Sequence, residues 1–251
     1  MAPRIGPLPV RLLCRAAFIA AFVAALGLRP SGATELVPLE GAAAAPPPPW
    51  HFAGLPFKSK PATRFEIVDI DGVRVLRIDA DRSFGNLIHP LAAGTRAGTL
   101  AWRSRIDRPI VGADLTQRSG EDMALRVCAT FDLPLAQVPF FERQLLRVAQ
   151  MRSAEPLPTA LLCYVADTGL PAGTLVVSPF TRRMRSIVVG HAPPGQWANE
   201  RHDLGPDFLR AFGDEASAVP ALTAVVIGAD ADNTGSHSVA LLTALRHVSP
   251  P

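Results

Sequence analysis

Apolar and polar residues alternate with a period of two through most of the chain that follows Trp50, which is typical of strands with one buried face. The clearest case is segment 64–79, in which two alternating runs flank the dipeptide Asp71-Gly72. Asp-Gly supplies the two positive-φ residues of a type I′ turn, so this segment predicts a β-hairpin. Further strands are predicted at 86–90, 98–106, 122–131, 160–165, 174–177, 185–189, 197–204, 221–227 and 238–245.

Eleven short strands separated by turn residues predict an all-β fold, an antiparallel β-sandwich that is jelly-roll-like, rather than a parallel α/β sheet. One or two short helices are inserted into the strand pattern. Segment 140–151 follows Pro139 and carries apolar residues at helical spacing. Segment 207–212 stops at Gly213, and glycine commonly ends helices.

The first 33 residues predict an export signal. Three arginines precede the apolar run 16–28, and Ser31-Gly32-Ala33 offers small residues for cleavage before Thr34. An uncleaved N-terminal anchor is the alternative, because Arg29 closes the apolar run. We interpret the Ala- and Pro-rich residues 34–49 as a linker and residues 50–251 as a single β-sandwich domain. The mature protein is expected to be periplasmic or secreted, with no membrane span.

The net charge argues against a nucleic-acid partner. The chain has a formal charge of +3, from 25 Lys and Arg against 22 Asp and Glu. Four of the arginines lie in the first 33 residues, which contain no acidic residue, so the remainder carries 21 basic and 22 acidic residues. A nucleic-acid-binding domain would need a basic surface on its folded part.

Two cysteines follow the export signal, and each lies inside a predicted strand. Cys128 and Cys163 would form a disulfide in an oxidising compartment if their strands are neighbours. Two buried free thiols are the alternative, because the sequence does not give the distance between the two residues.

The turn at 228–235 concentrates oxygen-bearing side chains in a short stretch. Asp230, Asp232 and Asn233 are the residue types that bind a hard cation such as calcium. The stretch is not an EF-hand, since Thr234 occupies the fifth position and Leu241 the twelfth. A turn in which these side chains bond to their own backbone is the alternative interpretation.

Acidic and basic residues before and within the strand at 122–131 form the second candidate cluster. Asp114 and Asp122 would serve as general acid and base, with Arg126 holding a carboxylate or a sugar hydroxyl. A buried Asp–Arg pair that joins two strands is the alternative. The chain contains no zinc-binding spacing, P-loop, dinucleotide-binding motif or G-x-S-x-G motif.

Tryptophan side chains offer the flat apolar surface on which sugar rings stack. Trp197 follows a Pro-Pro-Gly turn near a strand end and is the better candidate for an exposed ligand-binding platform. Trp102 is a second candidate, although it alternates with Leu100 and Ser104, which favours a core position at least as much.

From about Trp50 to Leu245 the chain resembles a bacterial exported family, domain of unknown function 3047. The resemblance rests on the order and spacing of Trp102-Arg103, 113–115, 120–122 with Arg126, Tyr164-Val165, Trp197 with Glu200 and Asp203, Asp207-Phe208 with Phe212-Gly213, and 230–235. It implies a β-sandwich exported to the cell envelope and no particular activity. The chain departs from the family at Ser104 and Ala166, where the family tends to have aromatic residues, and its segment 133–158 is longer than usual.

These features favour a non-catalytic exported protein that binds a glycan or another envelope component. A hydrolase or lyase that acts on a polysaccharide through Asp114, Asp122 and Arg126 is the first alternative. It requires the three side chains to converge in one cleft. A purely structural envelope module is the second alternative.

Overall fold

The computed structural model describes residues 1, 36–41, 43–54, 60–153, 155–166, 169–190 and 192–250. Apart from Met1, the export signal expected at residues 1–33 lies outside the described residues.

Two packed sheets form the body of the protein. The strands are β1 His51–Ala53, β2 Arg64–Ile70, β3 Val73–Asp81, β4 Phe84–Thr95, β5 Thr99–Arg108, β6 Met123–Phe131, β7 Ala160–Ala166, β8 Leu175–Val177, β9 Met184–Val189, β10 Trp197–Asp203, β11 Leu222–Asp230 and β12 His237–Val248. One sheet has the order β1-β4-β11-β6-β7-β9-β8 and the other β10-β5-β12-β3-β2. All pairs are antiparallel except β7 with β9. The predicted β-sandwich is therefore confirmed, with β1 as a strand that the alternation did not indicate.

The predicted hairpin is formed by β2 and β3. Its turn has Asp71 at φ 54° and Gly72 at φ 77°, the two positive-φ positions that Asp-Gly favours. The Gly72 amide also donates to Asp69 Oδ1 at 3.0 Å, and this bond links the turn to the end of β2.

The core lies between the sheets and is built from the inward-facing residues of each strand. Leu76 and Ile78 of β3, Leu100 of β5 and Val127 of β6 are fully buried. Burial of each such side chain stabilises the fold by roughly 1.5–3 kcal/mol. The alternation that predicts the strands is thus the same pattern that builds this core.

Residues 36–41 and 43–50 pack as part of the domain, which corrects the interpretation of 34–49 as a linker. Leu36 and Leu39 are buried in the same core cluster as Trp50. The Trp50 Nε1 group donates to the Val37 carbonyl at 2.8 Å, and the Val37 amide donates to His89 Nε2 at 3.0 Å. Two leucines three residues apart outweigh the Ala- and Pro-rich composition, because they supply apolar surface for burial.

Both predicted helices are present. Helix α1 spans Phe140–Gln150, close to the predicted bounds. Helix α2 spans Leu204–Phe212 and begins before the predicted start, since the Asp203 side chain caps it by accepting from the Gly205 amide at 3.2 Å. Gly213 ends α2 with φ −65°, and a Cβ there would lie 2.4 Å from the Leu209 carbonyl oxygen. Close backbone approach therefore favours glycine at this position.

The Cys128–Cys163 disulfide is formed. Cys128 of β6 lies directly opposite Cys163 of β7, with their Cα atoms 4.0 Å apart. Both side chains are buried. Within the described part of the chain, neither helix has the length and apolar character needed to cross a bilayer.

Candidate functional site

Strand β10 is an edge of the five-stranded sheet and presents Trp197 on the outer face of that sheet. Successive side chains of a strand point to opposite faces, so Trp197, Asn199 and Arg201 share one face. In the register of β10 with β5, Trp197 lies opposite Arg105 and Asn199 opposite Arg103. Asn199, Arg201 and Arg103 are exposed, which identifies this face as the solvent side.

Two arginines flank the half-buried Trp197 ring. The Cζ atoms of Arg103 and Arg105 lie 5.3 Å and 5.5 Å from its centroid, within the range of a cation–π contact. Arg105 is also held by Asp107, with Nε and Oδ1 2.7 Å apart. Arg103 has no ion-pair partner among the described residues. We call Trp197, Arg103 and Arg105 the Trp197 platform.

The inner face of β10 carries two polar residues, Glu200, which belongs to the family pattern, and His202, which the sequence pattern did not indicate. His202 stacks on Tyr164 at 4.1 Å, and its Nε2 atom lies 3.0 Å from Glu200 Oε2. The Tyr164 hydroxyl donates to Asp207 Oδ2 at 2.7 Å. Burial, reinforced by the Asp207 carboxylate, raises the pKa of Tyr164. Glu200 and His202 are two residues apart in a strand, so the alternation of strand 197–203 predicts that they lie on the same face.

Trp102 belongs to this internal layer and not to the surface. It is 4% exposed, and its ring centroid lies 5.8 Å from that of Tyr164 and 5.3 Å from that of His202. Trp102 therefore lies in the core, the position that its alternation with Leu100 favours, and it does not present its ring to a ligand at the surface. The internal layer fixes β10 against the second sheet, which holds Trp197 in place on the opposite face.

Arg126 forms a buried ion pair across two strands of the seven-stranded sheet. Its Nη1 atom donates to Asp230 Oδ2 at 2.7 Å, and its Nη2 atom donates to Asn86 Oδ1 at 2.9 Å. The residue is 3% exposed. Gly228 makes room for it, since a Cβ at Gly228 would lie 2.4 Å from Arg126 Nε. The Arg126 guanidinium is therefore bonded inside the protein and is not presented to a ligand at the surface.

Asp122 fixes the turn that follows β11. Its Oδ2 atom accepts from the Thr234 amide at 2.7 Å and from the Thr234 hydroxyl at 2.6 Å. Its Oδ1 atom accepts from the Asn233 amide at 3.2 Å and from Asn233 Nδ2 at 3.1 Å. Asp122 is 1% exposed. These four hydrogen bonds occupy both oxygens of the carboxylate and give Asp122 a structural role in holding the turn.

Asp114 is half-buried, and its side chain bonds within its own turn. Its Oδ1 atom accepts from the Thr116 amide at 2.9 Å and from the Thr116 hydroxyl at 2.6 Å, and these bonds lower its pKa. Asp114, Asp122 and Arg126 therefore satisfy three separate sets of partners. They do not form the convergent acid–base site that the hydrolase or lyase alternative requires.

The three predicted calcium ligands do not present their oxygens to a common point. Asp230 accepts from the Met123 amide and from Arg126, and Asp232 lies 3.1 Å from Lys60 Nζ. Asn233 turns its Nδ2 donor to Asp122. Across the described ranges, no group of three or more His, Cys, Asp and Glu side chains is placed to hold a metal ion. A donor set that faces two cationic side chains does not fit calcium.

Glu121 is a buried carboxyl residue next to Asp122, and the sequence pattern indicates no role for it. It is 6% exposed, and burial raises its pKa to about 7, with the neighbouring Asp230 and Asp122 acting in the same direction. A hydrogen bond with Ser178 and the charge of Arg126 oppose this rise. The pKa of Glu121 therefore lies near neutral pH, and Glu121 is not part of the Trp197 platform.

A cavity of about 260 Å³ lies near the start of β6. Its lining is mostly apolar and includes Ile106, Ile110, Pro193 and Pro194. Asp122 is the one charged residue among the lining residues, and its oxygens are already occupied by Asn233 and Thr234. The volume falls below the roughly 300–1,000 Å³ of small-molecule sites. The Trp197 platform is therefore the better candidate for a binding surface.

Comparison with known proteins gives one family and several distant structures. A family model described as "Protein of unknown function (DUF3047)" matches residues 48–246. Among solved structures, TmCBM61 in complex with β-1,4-galactotriose is 8% identical, with a TM-score of 0.36, over 85% of this chain and 97% of that chain. The xyloglucanase domain of NopAA, a type three effector from Sinorhizobium fredii, in complex with cellobiose is 8% identical, with a TM-score of 0.41, over 83% of this chain and 100% of that chain. At these TM-scores neither structure informs the function of this chain. No curated protein sequence matches significantly.

Proposed function

The chain belongs to the DUF3047 family of proteins of unknown function, and we propose that it is an exported, non-catalytic β-sandwich protein that binds a cell-envelope glycan on its Trp197 platform. The observation that carries this proposal is an indole ring on the outer face of an edge strand with two arginine side chains beside it. Aromatic faces stack on the apolar faces of sugar rings, and guanidinium groups donate to hydroxyl and carboxylate oxygens.

The electrostatics of the platform favour an acidic glycan. Asp107 pairs with Arg105 and holds its guanidinium in one orientation beside the indole. Arg103 and Arg201 are exposed on the same face, and neither has an ion-pair partner among the described residues. A uronate carboxylate or a phosphate substituent would supply the anionic partner that these two guanidinium groups lack among the described residues.

The test compares two exposed aromatic residues, each with an arginine beside it. Trp197→Ala removes the platform ring. Phe180→Ala is the matched control, since Phe180 is 48% exposed and Arg118 Cζ lies 5.4 Å from its centroid. Binding of the full chain and both variants is measured against peptidoglycan strands, neutral polysaccharides and acidic polysaccharides.

We expect the wild type and Phe180→Ala to bind at least one acidic polysaccharide with equal affinity, and Trp197→Ala to bind it at least tenfold more weakly. Near-ultraviolet circular dichroism establishes that each variant is folded. The proposal fails if no polysaccharide binds, or if Trp197→Ala binds as well as the wild type.

Export is tested separately. The full chain is expressed in a bacterial host, and the periplasmic fraction is analysed by N-terminal sequencing. Cleavage before Thr34 is expected from the small residues at Ser31 and Ala33. Retention of the intact chain in the cytoplasm would contradict export, and an intact chain in the membrane fraction would indicate an uncleaved anchor.

A further inference from the structure

Helix α1 carries a stripe of large apolar side chains that point away from the protein. None of its residues is buried. Phe141, Leu145 and Val148 recur at i, i+4 and i+7, and Phe140 and Met151 extend the same face. These five side chains are between 44% and 80% exposed. An exposed apolar stripe of this kind marks an interaction surface.

Polar contacts fix which face of α1 points outward. Glu142 Oε2 lies 3.7 Å from Arg183 Nε, which ties the first turn to the protein. Gln150 Oε1 accepts from the Leu157 amide at 2.7 Å, which ties the last turn to the following segment. The apolar stripe is therefore a fixed outer surface of the protein.

Arginines border the stripe. Segment 140–152 contains Arg143, Arg147 and Arg152 and a single acid, Glu142, which is turned towards Arg183. Arg143 donates to the Leu135 carbonyl at 3.3 Å and lies beside Phe140, with its Cζ 5.8 Å from the ring centroid. Arg147 is exposed one helical turn further on. The surface presented by α1 is therefore both apolar and cationic.

We propose that α1 binds the surface of an anionic lipid bilayer, lying in the plane of the interface. Helices with Phe and Leu on one face and arginines along its border insert their apolar side roughly 5–10 Å into the headgroup region. Eleven residues give α1 a length of about 16 Å, which suits a position along the interface and not across the bilayer. The arginines favour this partner over a neutral apolar one, because anionic headgroups complement their charge.

The test reads the environment of α1 itself. In the full chain, Cys14→Ser removes the one cysteine outside the disulfide, and Leu145→Cys carries an environment-sensitive fluorophore. The matched control carries the same fluorophore at Ser119→Cys, an exposed position before β6. Each labelled chain is titrated with vesicles of mixed phosphatidylglycerol and phosphatidylcholine and with vesicles of phosphatidylcholine alone. Because the label is local, insertion of the N-terminal apolar run does not produce the signal.

We expect a blue shift at position 145, and not at position 119, with the anionic vesicles. Binding should be far weaker with phosphatidylcholine alone and at high salt. Replacing Arg147 and Arg152 by Gln should weaken binding about 25-fold, since each basic residue at an anionic surface contributes about fivefold. Arg64→Gln, on strand β2, should have no effect.

Three results would overturn the proposal. The first is no shift at position 145 with anionic vesicles. The second is an equal shift with neutral vesicles that the arginine substitutions leave unchanged. The third is a shift that grows with protein concentration in the absence of lipid, which would show that a second copy of the chain covers α1.

Discussion

The buried carboxyl of Glu121 should make the stability of the protein depend on pH between about 4.5 and 7. Glu121 lies beside the Arg126–Asp230 pair and close to Asp122, and burial raises its pKa from 4.5 to about 7. Glu121→Gln keeps the size of the side chain and its ability to bond with Ser178 but removes the titration. The substitution therefore isolates the cost of ionising this one buried group.

The size of the effect follows from the two pKa values. A folded-state pKa of about 7 against 4.5 in the unfolded chain corresponds to a free energy on the order of 3 kcal/mol. Because the folded-state pKa is raised, the contribution of the protonated Glu121 carboxyl to the free energy of unfolding is fully present below pH 4.5. This contribution is lost as the pH rises through 7. The wild type should thus lose on the order of 3 kcal/mol between pH 4.5 and pH 8 relative to Glu121→Gln.

Urea unfolding followed by tryptophan fluorescence measures this difference at a series of pH values. Glu121→Gln should be more stable than the wild type at pH 8 and close to it at pH 4.5. Glu66→Gln, at an exposed position of β2, is the control and should follow the wild type throughout. Other titrating groups contribute to all three proteins and cancel in the comparison. Parallel pH profiles for the wild type and Glu121→Gln would refute the reasoning.

Three further substitutions or conditions test the structural assignments. Asp122→Ala removes four hydrogen bonds to a buried carboxylate and should destabilise the protein by about 2–4 kcal/mol in urea unfolding. Asp114→Ala removes bonds within a single turn and should shift the urea midpoint much less. Replacing Cys128 and Cys163 together by Ala should cost about 2–4 kcal/mol, because the disulfide closes a loop with a sequence separation of 35; an unchanged unfolding midpoint would contradict this. Calcium and EDTA should leave the melting temperature unchanged, and a rise with calcium would reveal a site at the turn 228–235 that the hydrogen bonds do not indicate.

Local features of the fold were predictable from the sequence because they depend on neighbouring residues. Alternation indicated the strands, and Asp71-Gly72 indicated the hairpin turn. The start of α2 was not predictable from periodicity, since its cap is Asp203, the last residue of a strand. The role of 36–50 was hidden by composition, because a segment rich in Ala and Pro needs only Leu36 and Leu39 to join the core.

The partners of the buried charged residues Arg126 and Asp122 were not predictable, because they are distant in the sequence. The Asp–Arg pair was anticipated as an alternative for Arg126, but its acid is Asp230, 104 residues away, and not Asp122. Asp122 instead bonds to Thr234, 112 residues away. Local spacing carries no information on such pairs, which are set by the order of strands in the sheet.

The same physics explains why the residues that looked catalytic in the sequence are structural. A buried carboxylate or guanidinium is tolerated only when its hydrogen bonds are satisfied. Charged side chains that the fold buries therefore bond to one another or to neighbouring polar groups. Arg126 and Asp122 are in this position. Only side chains outside such pairs can contact a binding partner. On the five-stranded sheet, Arg103 beside Trp197 is the clearest example.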